Sequence, residues 1–143
     1  MANSESGKRL NGGGDIKSYR DLRVWSEAMT VAAECYALTK VFPREEVHGM
    51  TAQIRRSAAS IAANIAEGHG REATGSLVQF LRMSQGSLKE LETHLMLGER
   101  VRIAVPTSVK PILDRCEALG KMLRRLIRSL QDRPAGTNDE AGL

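Results

Sequence analysis

With 143 residues, 41% of them apolar and 27% charged, the chain can bury one sizeable core and reads as a single globular domain. Two Phe, two Tyr and one Trp are few for a strand-rich fold, because strands favour aromatic and β-branched side chains. The net charge is +4, and residues 17–131 hold 18 basic against 12 acidic side chains; this permits nucleic-acid binding without requiring it. No apolar run reaches the length of a membrane span and no signal peptide is visible, so the expectation is a cytoplasmic protein with no membrane partner.

Residues 1–16, MANSESGKRLNGGGDI, are small, polar and glycine-rich and read as a flexible arm. Residues 132–143, DRPAGTNDEAGL, read as a disordered tail. The domain is 17–131, with four helices. The first is expected from about Tyr19 to Lys40, with Ser18 or Asp21 as cap. Leu22, Trp25, Met29, Ala32 and Tyr36 repeat at 3-4-3-4 spacing, a bundle seam that turns polar at Thr39. Val41-Phe42-Pro43 ends it, because the residue before proline leaves helical geometry.

The second helix is expected from about Arg44 to Glu67 or slightly beyond, with Glu45 and Glu46 in a first turn that favours anions and Gly68 and Gly70 as its stop. The third runs from about Ser76 to Val101, opened by a Ser76/Gln79 capping box. Leu77, Phe80, Leu81, Leu88, Leu91 and Leu95 mark its inner stripe. Gly86 and Gly98 interrupt it, each at a cost of about 1 kcal/mol relative to alanine, which points to a close neighbour or a bend. The fourth runs from about Thr107 to Gln131, capped by Thr107 or Ser108, with Pro111 tolerated near the first turn. Val109, Ile112, Cys116, Leu119, Leu123, Leu126 and Leu130 form its seam. Short connections make neighbours antiparallel. The fold class is therefore all-α, an antiparallel up-down-up-down four-helix bundle, with a ring-like homo-oligomer as its expected assembly.

The second helix divides into three faces. Met50, Ile54, Ala58, Ile61 and Ile65 form a core face. Ala52, Ala59, Ala63 and Ala66 lie roughly opposite, flanked by Arg55 and Arg56. Gln53, Ser57, Ser60, Asn64, Glu67 and Arg71 fill the third sector at heptad spacing. A solvated face normally carries Lys and Glu rather than Ala, Ser and Asn. An alanine stripe lets another backbone approach, and flanking guanidiniums can reach carboxylates or carbonyls. The expected oligomer interface or polar network is thus Gln53, Arg55, Arg56, Ala59, Ser60, Ala63, Asn64, Glu67 and Arg71, with Arg56, Asn64, Glu67 and Arg71 hydrogen-bonded together.

DLRVW (21–25), TKVFPREE (39–46), QIRRSAASIAANIAEGHGR (53–71) and FLRMSQGSLKELETHL (80–95) together resemble the bacterial four-helix-bundle proteins encoded in intervening sequences of the 23S ribosomal RNA gene. The resemblance spans about 17–131. It implies a cytosolic homopentamer with no attributed catalytic activity, similar in shape to the accessory variability proteins of diversity-generating retroelements. Those are basic pentameric barrels that bind nucleic acid and a reverse transcriptase. The matching positions are Trp25, Phe42, Pro43, Gln53, Arg55, Arg56, Ser60, Asn64, Glu67, Gly68, Arg71, Gly86, Ser87 and Glu90. Ala62 stands where many members carry proline, and His69 where an aromatic is common.

Motifs for catalysis are lacking. His48, His69 and His94 are dispersed, and no H-x-x-H, H-E-x-x-H or C-x-x-C occurs, so no metal site is expected. A di-iron bundle needs Glu-x-x-His on facing helices, whereas ELETHL places Leu91 three residues before His94. EGHGREATGS lacks G-K-[ST] and follows a helix, which excludes a P-loop. Cys35 and Cys116 read as buried hydrophobes. Neither a catalytic residue nor a cofactor is expected. Lys121, Arg124, Arg125 and Arg128 share one face of the fourth helix, preceded there by Asp114 and Glu117. Acidic-first and basic-last suits the helix dipole, so one reading is a solvated face. The other is a phosphate-contacting surface that a ring would multiply, in which Arg55, Arg56 and Arg71 could join. The expected function is non-enzymatic nucleic-acid binding by a homopentamer. Alternatives are a protein scaffold, for example for a reverse transcriptase, and a binder of a small anion at the arginine-lined interface.

Overall fold

The computed structural model describes residues 17–132; the arm expected over 1–16 and all but the first residue of the tail lie outside it. Among the described residues the fold is all-α, with four helices and no strand: α1 Arg23–Thr39, α2 Met50–His69, α3 Thr74–Arg100 and α4 Pro106–Gln131. α1 packs on α2 and α4, and α3 packs on the same two. Partner numbers on α3 fall as those on α2 rise: Gly98 lies beside Met50, and Ser84 Oγ donates to the Ile61 carbonyl at 2.8 Å.

Helix ends depart from expectation for local reasons. Tyr19–Asp21 is a separate 3-10 turn, because Ser18 and Asp21 close a capping box around it and α1 begins only at Arg23. Arg44–Glu46 is another 3-10 turn, so Glu45 and Glu46 precede α2 rather than opening it. Glu46 nevertheless serves α2: its Oε1 accepts from the Met50 N–H at 2.9 Å, satisfying a donor that a helix start leaves orphaned. The C-terminal end of α2 falls where expected, slightly beyond Glu67 at His69, with Gly70 as its C-cap. The Ser76/Gln79 box is absent: α3 starts two residues earlier, after an extended Ala73 that makes no side-chain cap. α4 is capped by neither Thr107 nor Ser108. It starts at Pro106, whose fixed φ and missing N–H suit a first helical position. The α3–α4 connection lacks glycine yet closes a Schellman motif. Arg102 adopts φ 65°; its N–H reaches the Glu99 carbonyl at 3.0 Å, and the Ile103 N–H reaches Gly98 at 2.9 Å.

The core follows the expected stripes on three helices. Ile54, Ala58, Ile61 and Ile65 are buried on α2, and so are Leu77, Leu81, Leu88, Leu91 and Leu95 on α3, while Met50 and Phe80 of the expected stripes are only partly covered. The seven-residue α4 seam is buried throughout. Of the expected α1 seam only Leu22, just before the helix, is buried. Within α1 Val24, Ala28, Val31, Cys35 and Thr39 are the buried residues, the first four at the same 4-3-4 spacing but one position away. Trp25 and Ala32 are only partly covered, and Met29 and Tyr36 are each 45% exposed. Small side chains face inward here because α1 sits against two helices whose own aliphatics fill the space. Gly68 permits the α2–α3 approach: a β-carbon there would lie 2.7 Å from Phe80 Cβ.

Candidate interface and basic surface

The displaced α1 seam does not scatter into solvent. Trp25, Met29, Ala32 and Tyr36 line one wall of a groove of about 470 Å3, with Ala59, Ala62, Ala63 and Ala66 of α2 opposite. Tyr19 closes one end, edge-on to Trp25 with ring centroids 5.3 Å apart. The alanines supply no side-chain bulk, which leaves the groove open, while the large side chains form its rim. The result is a continuous apolar surface built from two sequence features that were separate expectations.

Arg55 is committed within the protomer. Its Nε donates to Thr39 Oγ1 at 2.7 Å and Nη2 to the Tyr36 carbonyl at 3.3 Å, and its guanidinium lies 4.4 Å from the Tyr36 ring centroid. It thus bolts the end of α1 to α2 and holds Tyr36 at the groove rim. Arg71 is likewise occupied. It pairs with Glu67 at 3.1 Å and sits 5.0 Å from the Phe80 ring centroid. Each guanidinium thus already has partners within the protomer.

The polar sector of α2 is three local clusters rather than one network. Arg56 reaches Gln53 at 3.5 Å. Asn64 donates to the Ser60 carbonyl and hydroxyl at 3.0 and 3.1 Å, and Ser60 meets Ser87 of α3 at 2.8 Å. Glu67 and Arg71 form the third. Ser57 bonds its own helix through Gln53 and is buried. The Ser60–Ser87 contact ties α2 to α3, so sequence periodicity found the face, and the structure shows part of it used inside the protomer. Ser87 was legible only as a matching position, because nothing about one serine announces a cross-helix partner.

Cys35 and Cys116 are both buried. Burial pushes each thiol from 9.0 up to about 12, helped by Glu34 at Cys35 and by Cys35 itself at Cys116. A thiol so held protonated is a poor nucleophile. His94 Nε2 lies 3.6 Å from Glu90 Oε2 on the same helix. Among the described residues no group of three or more His, Cys, Asp or Glu is placed to hold a metal ion, and no helix is long and apolar enough to cross a membrane.

Charge is uneven. Residues 17–29, 62–86 and 118–132 carry nine basic and five acidic residues, against nine and eight in 30–61 and 87–117. Lys121 lies 3.9 Å from Glu117. Arg124, Arg125 and Arg128 are exposed, and none of them makes an ion pair among the described residues.

Residues 20–125 match the 23S rRNA-intervening sequence protein family. The chain belongs to that family. The match spans all of α1, α2 and α3 and most of α4, and so includes the groove and the start of the basic surface. A crystal structure of a protein of unknown function from the S23 ribosomal protein family of Bacteroides thetaiotaomicron superposes with a TM-score of 0.69. It is 24% identical, covering 73% of this chain and 95% of that one, and so supports the fold alone. No curated protein matches. Family membership therefore fixes the bundle and leaves the activity to be argued from the two surfaces.

Proposed function

We propose that the protein is a non-enzymatic, cytoplasmic, up-down-up-down four-helix bundle that assembles into a homopentameric ring and binds nucleic acid through basic residues repeated around it. The observation that carries the reading is the apolar groove. A soluble protomer gains nothing by exposing Met29 and Tyr36 beside a floor of alanine. Covering them with a second copy removes that surface from water and lets helix backbones approach. A ring contact is heterologous, so each copy offers this groove on one side and receives a neighbour's on the other.

Nucleic acid as the ligand is supported by the excess of positive charge at the end an up-down bundle gives to residues 17–29, 62–86 and 118–132, and by three arginines on α4 that no carboxylate among the described residues neutralises. Such a surface meets phosphates and reads little sequence. Affinity then falls steeply with salt, as counterions released by each contact are lost to competition. The test is titration of labelled ribosomal RNA fragments and duplex DNA at two salt concentrations. Binding at low salt that weakens at high salt supports the reading; no binding at low salt by an intact oligomer ends it.

A further inference from the structure

Between α3 and α4 lies a cleft of about 300 Å3 lined by Gln85, Gly86, Leu88, Lys89, Gly120 and Arg124. It shares no lining residue with the α1/α2 groove, and its floor is Leu88 of the core and the buried Gly120. A methyl group added at Gly86 would meet no atom within 4 Å. A glycine in mid-helix weakens the helix, yet nothing inside the protomer requires this one, unlike Gly68. Gly120 completes the floor, and a β-carbon there would sit 3.5 Å from Leu88 Cδ2. The walls are cationic. Arg124 is exposed and without an ion pair among the described residues. Lys89 is exposed and bridges Glu92 at 3.1 Å. Helical spacing places Arg82 one turn before Gly86 and Arg128 one turn after Arg124, extending both walls. Among the described residues no carboxylate lines the cleft itself.

We infer that this cleft is a phosphodiester-binding track, in which the backbone of a nucleic-acid strand lies against the exposed Gly86 between Arg124 and Lys89. The inference deepens the nucleic-acid reading above and rests on it. Glycine lets a ligand touch helix backbone, which a side chain would prevent. Guanidinium offers phosphate a planar, bidentate fork. An acidic partner helix would instead need apolar pockets recurring at i, i+3/i+4 and i+7, and the cleft is a single short hollow between cations.

The experiment is titration of a fluorescent single-stranded RNA and a DNA duplex at about 50 and 200 mM salt, with light scattering on every variant. Gly86→Leu fills the cleft and should weaken binding about tenfold; Arg124→Gln should lower the duplex salt slope by about 0.9, the loss of one phosphate contact. Arg44→Gln, which removes the same charge from the far end, should leave the slope within about 0.2 of wild type. Gly86→Ala keeps the inference falsifiable if the leucine variant folds poorly: it should melt about 4 °C higher and still bind more weakly than wild type. If wild type binds and Gly86→Ala, Gly86→Leu and Arg124→Gln all behave like Arg44→Gln, the track is overturned while the nucleic-acid reading stands. If wild type binds no nucleic acid, both fall. Loss of oligomer mass in Gly86→Leu would place a neighbouring copy in the cleft, and capture of an acidic helical protein without nucleic-acid affinity would place that protein there; either overturns the track.

Discussion

Two chemically identical substitutions in neighbouring helices should move stability in opposite directions. In Gly68→Ala the new methyl comes 2.7 Å from Phe80 Cβ and 3.2 Å from Leu77 Cδ1. The first of these atoms is fixed to the α3 backbone, so the clash is relieved only by pushing α2 away from α3. Overpacking of this kind costs about 1–3 kcal/mol, at the upper end when backbone must shift. Alanine returns about 1 kcal/mol of helix propensity. The net expectation is a loss of about 1–2 kcal/mol. In Gly86→Ala no atom lies within reach, so only propensity and the reduced entropy of the unfolded chain remain, a gain of about 1 kcal/mol. The two variants should therefore differ by about 2–3 kcal/mol. Urea melts followed by helical circular dichroism, at one protein concentration because assembly adds to apparent stability, give the difference directly. An unchanged slope with a shifted midpoint assigns the effect to the native state. Equal shifts in both variants, or a stabilised Gly68→Ala, would refute the close α2–α3 approach.

Arg55→Ala removes two hydrogen bonds and a cation–π contact from a partly covered site, and should cost about 1–2 kcal/mol in the same melts. Arg55→Lys should recover only part of this, since an ammonium cannot span Thr39 and Tyr36 as the fork does. Ser84→Ala, which deletes the 2.8 Å bond to the Ile61 carbonyl in a fully buried position, should cost about 1 kcal/mol. The cysteines predict an alkaline limit. Unfolded thiols ionise near 9.0, whereas the buried ones hold their protons up to about 12. The folded values are raised, so their contribution is complete below about pH 9 and is lost as pH rises toward 12. A Cys35→Ala/Cys116→Ala chain should flatten the fall in stability between pH 9 and 11, and the wild-type thiols should react with a disulfide reagent only as fast as the bundle opens.

How much of this was legible depended on how many partners each helix has. The α4 seam was read correctly to the residue, because Leu and Ile recur there with charged residues between them and only one face can be buried. The three faces of α2 were also legible, since Ile, Ala and Ser/Asn occupy separate sectors. α1 was misread because it carries two seams. Trp25, Met29 and Tyr36 are large and dominate any hydrophobic periodicity, while the true core stripe of Val24, Ala28, Val31 and Cys35 is small. Side-chain size alone cannot say which of two seams faces the core when the other lines an exposed groove. The joining of the α1 and α2 stripes into one groove, and the Arg55 bolt that sets its rim, depend on helix rotation and were invisible in the sequence. So was the cleft at Gly86, which read as a packing glycine until its surroundings proved empty.

The central claim is that the α1/α2 groove is covered by another copy of the chain, and light scattering on wild type beside Ala63→Glu tests it most directly. Ala63 is exposed on the groove floor, so the carboxylate is tolerated by the protomer and intolerable in a closed contact. The account predicts a wild-type mass several times the 15.7 kDa of one chain, five times for the pentamer, and a helical, folded Ala63→Glu protein near the mass of one chain. A monomeric wild type, or an Ala63→Glu variant that keeps the full mass, would contradict it.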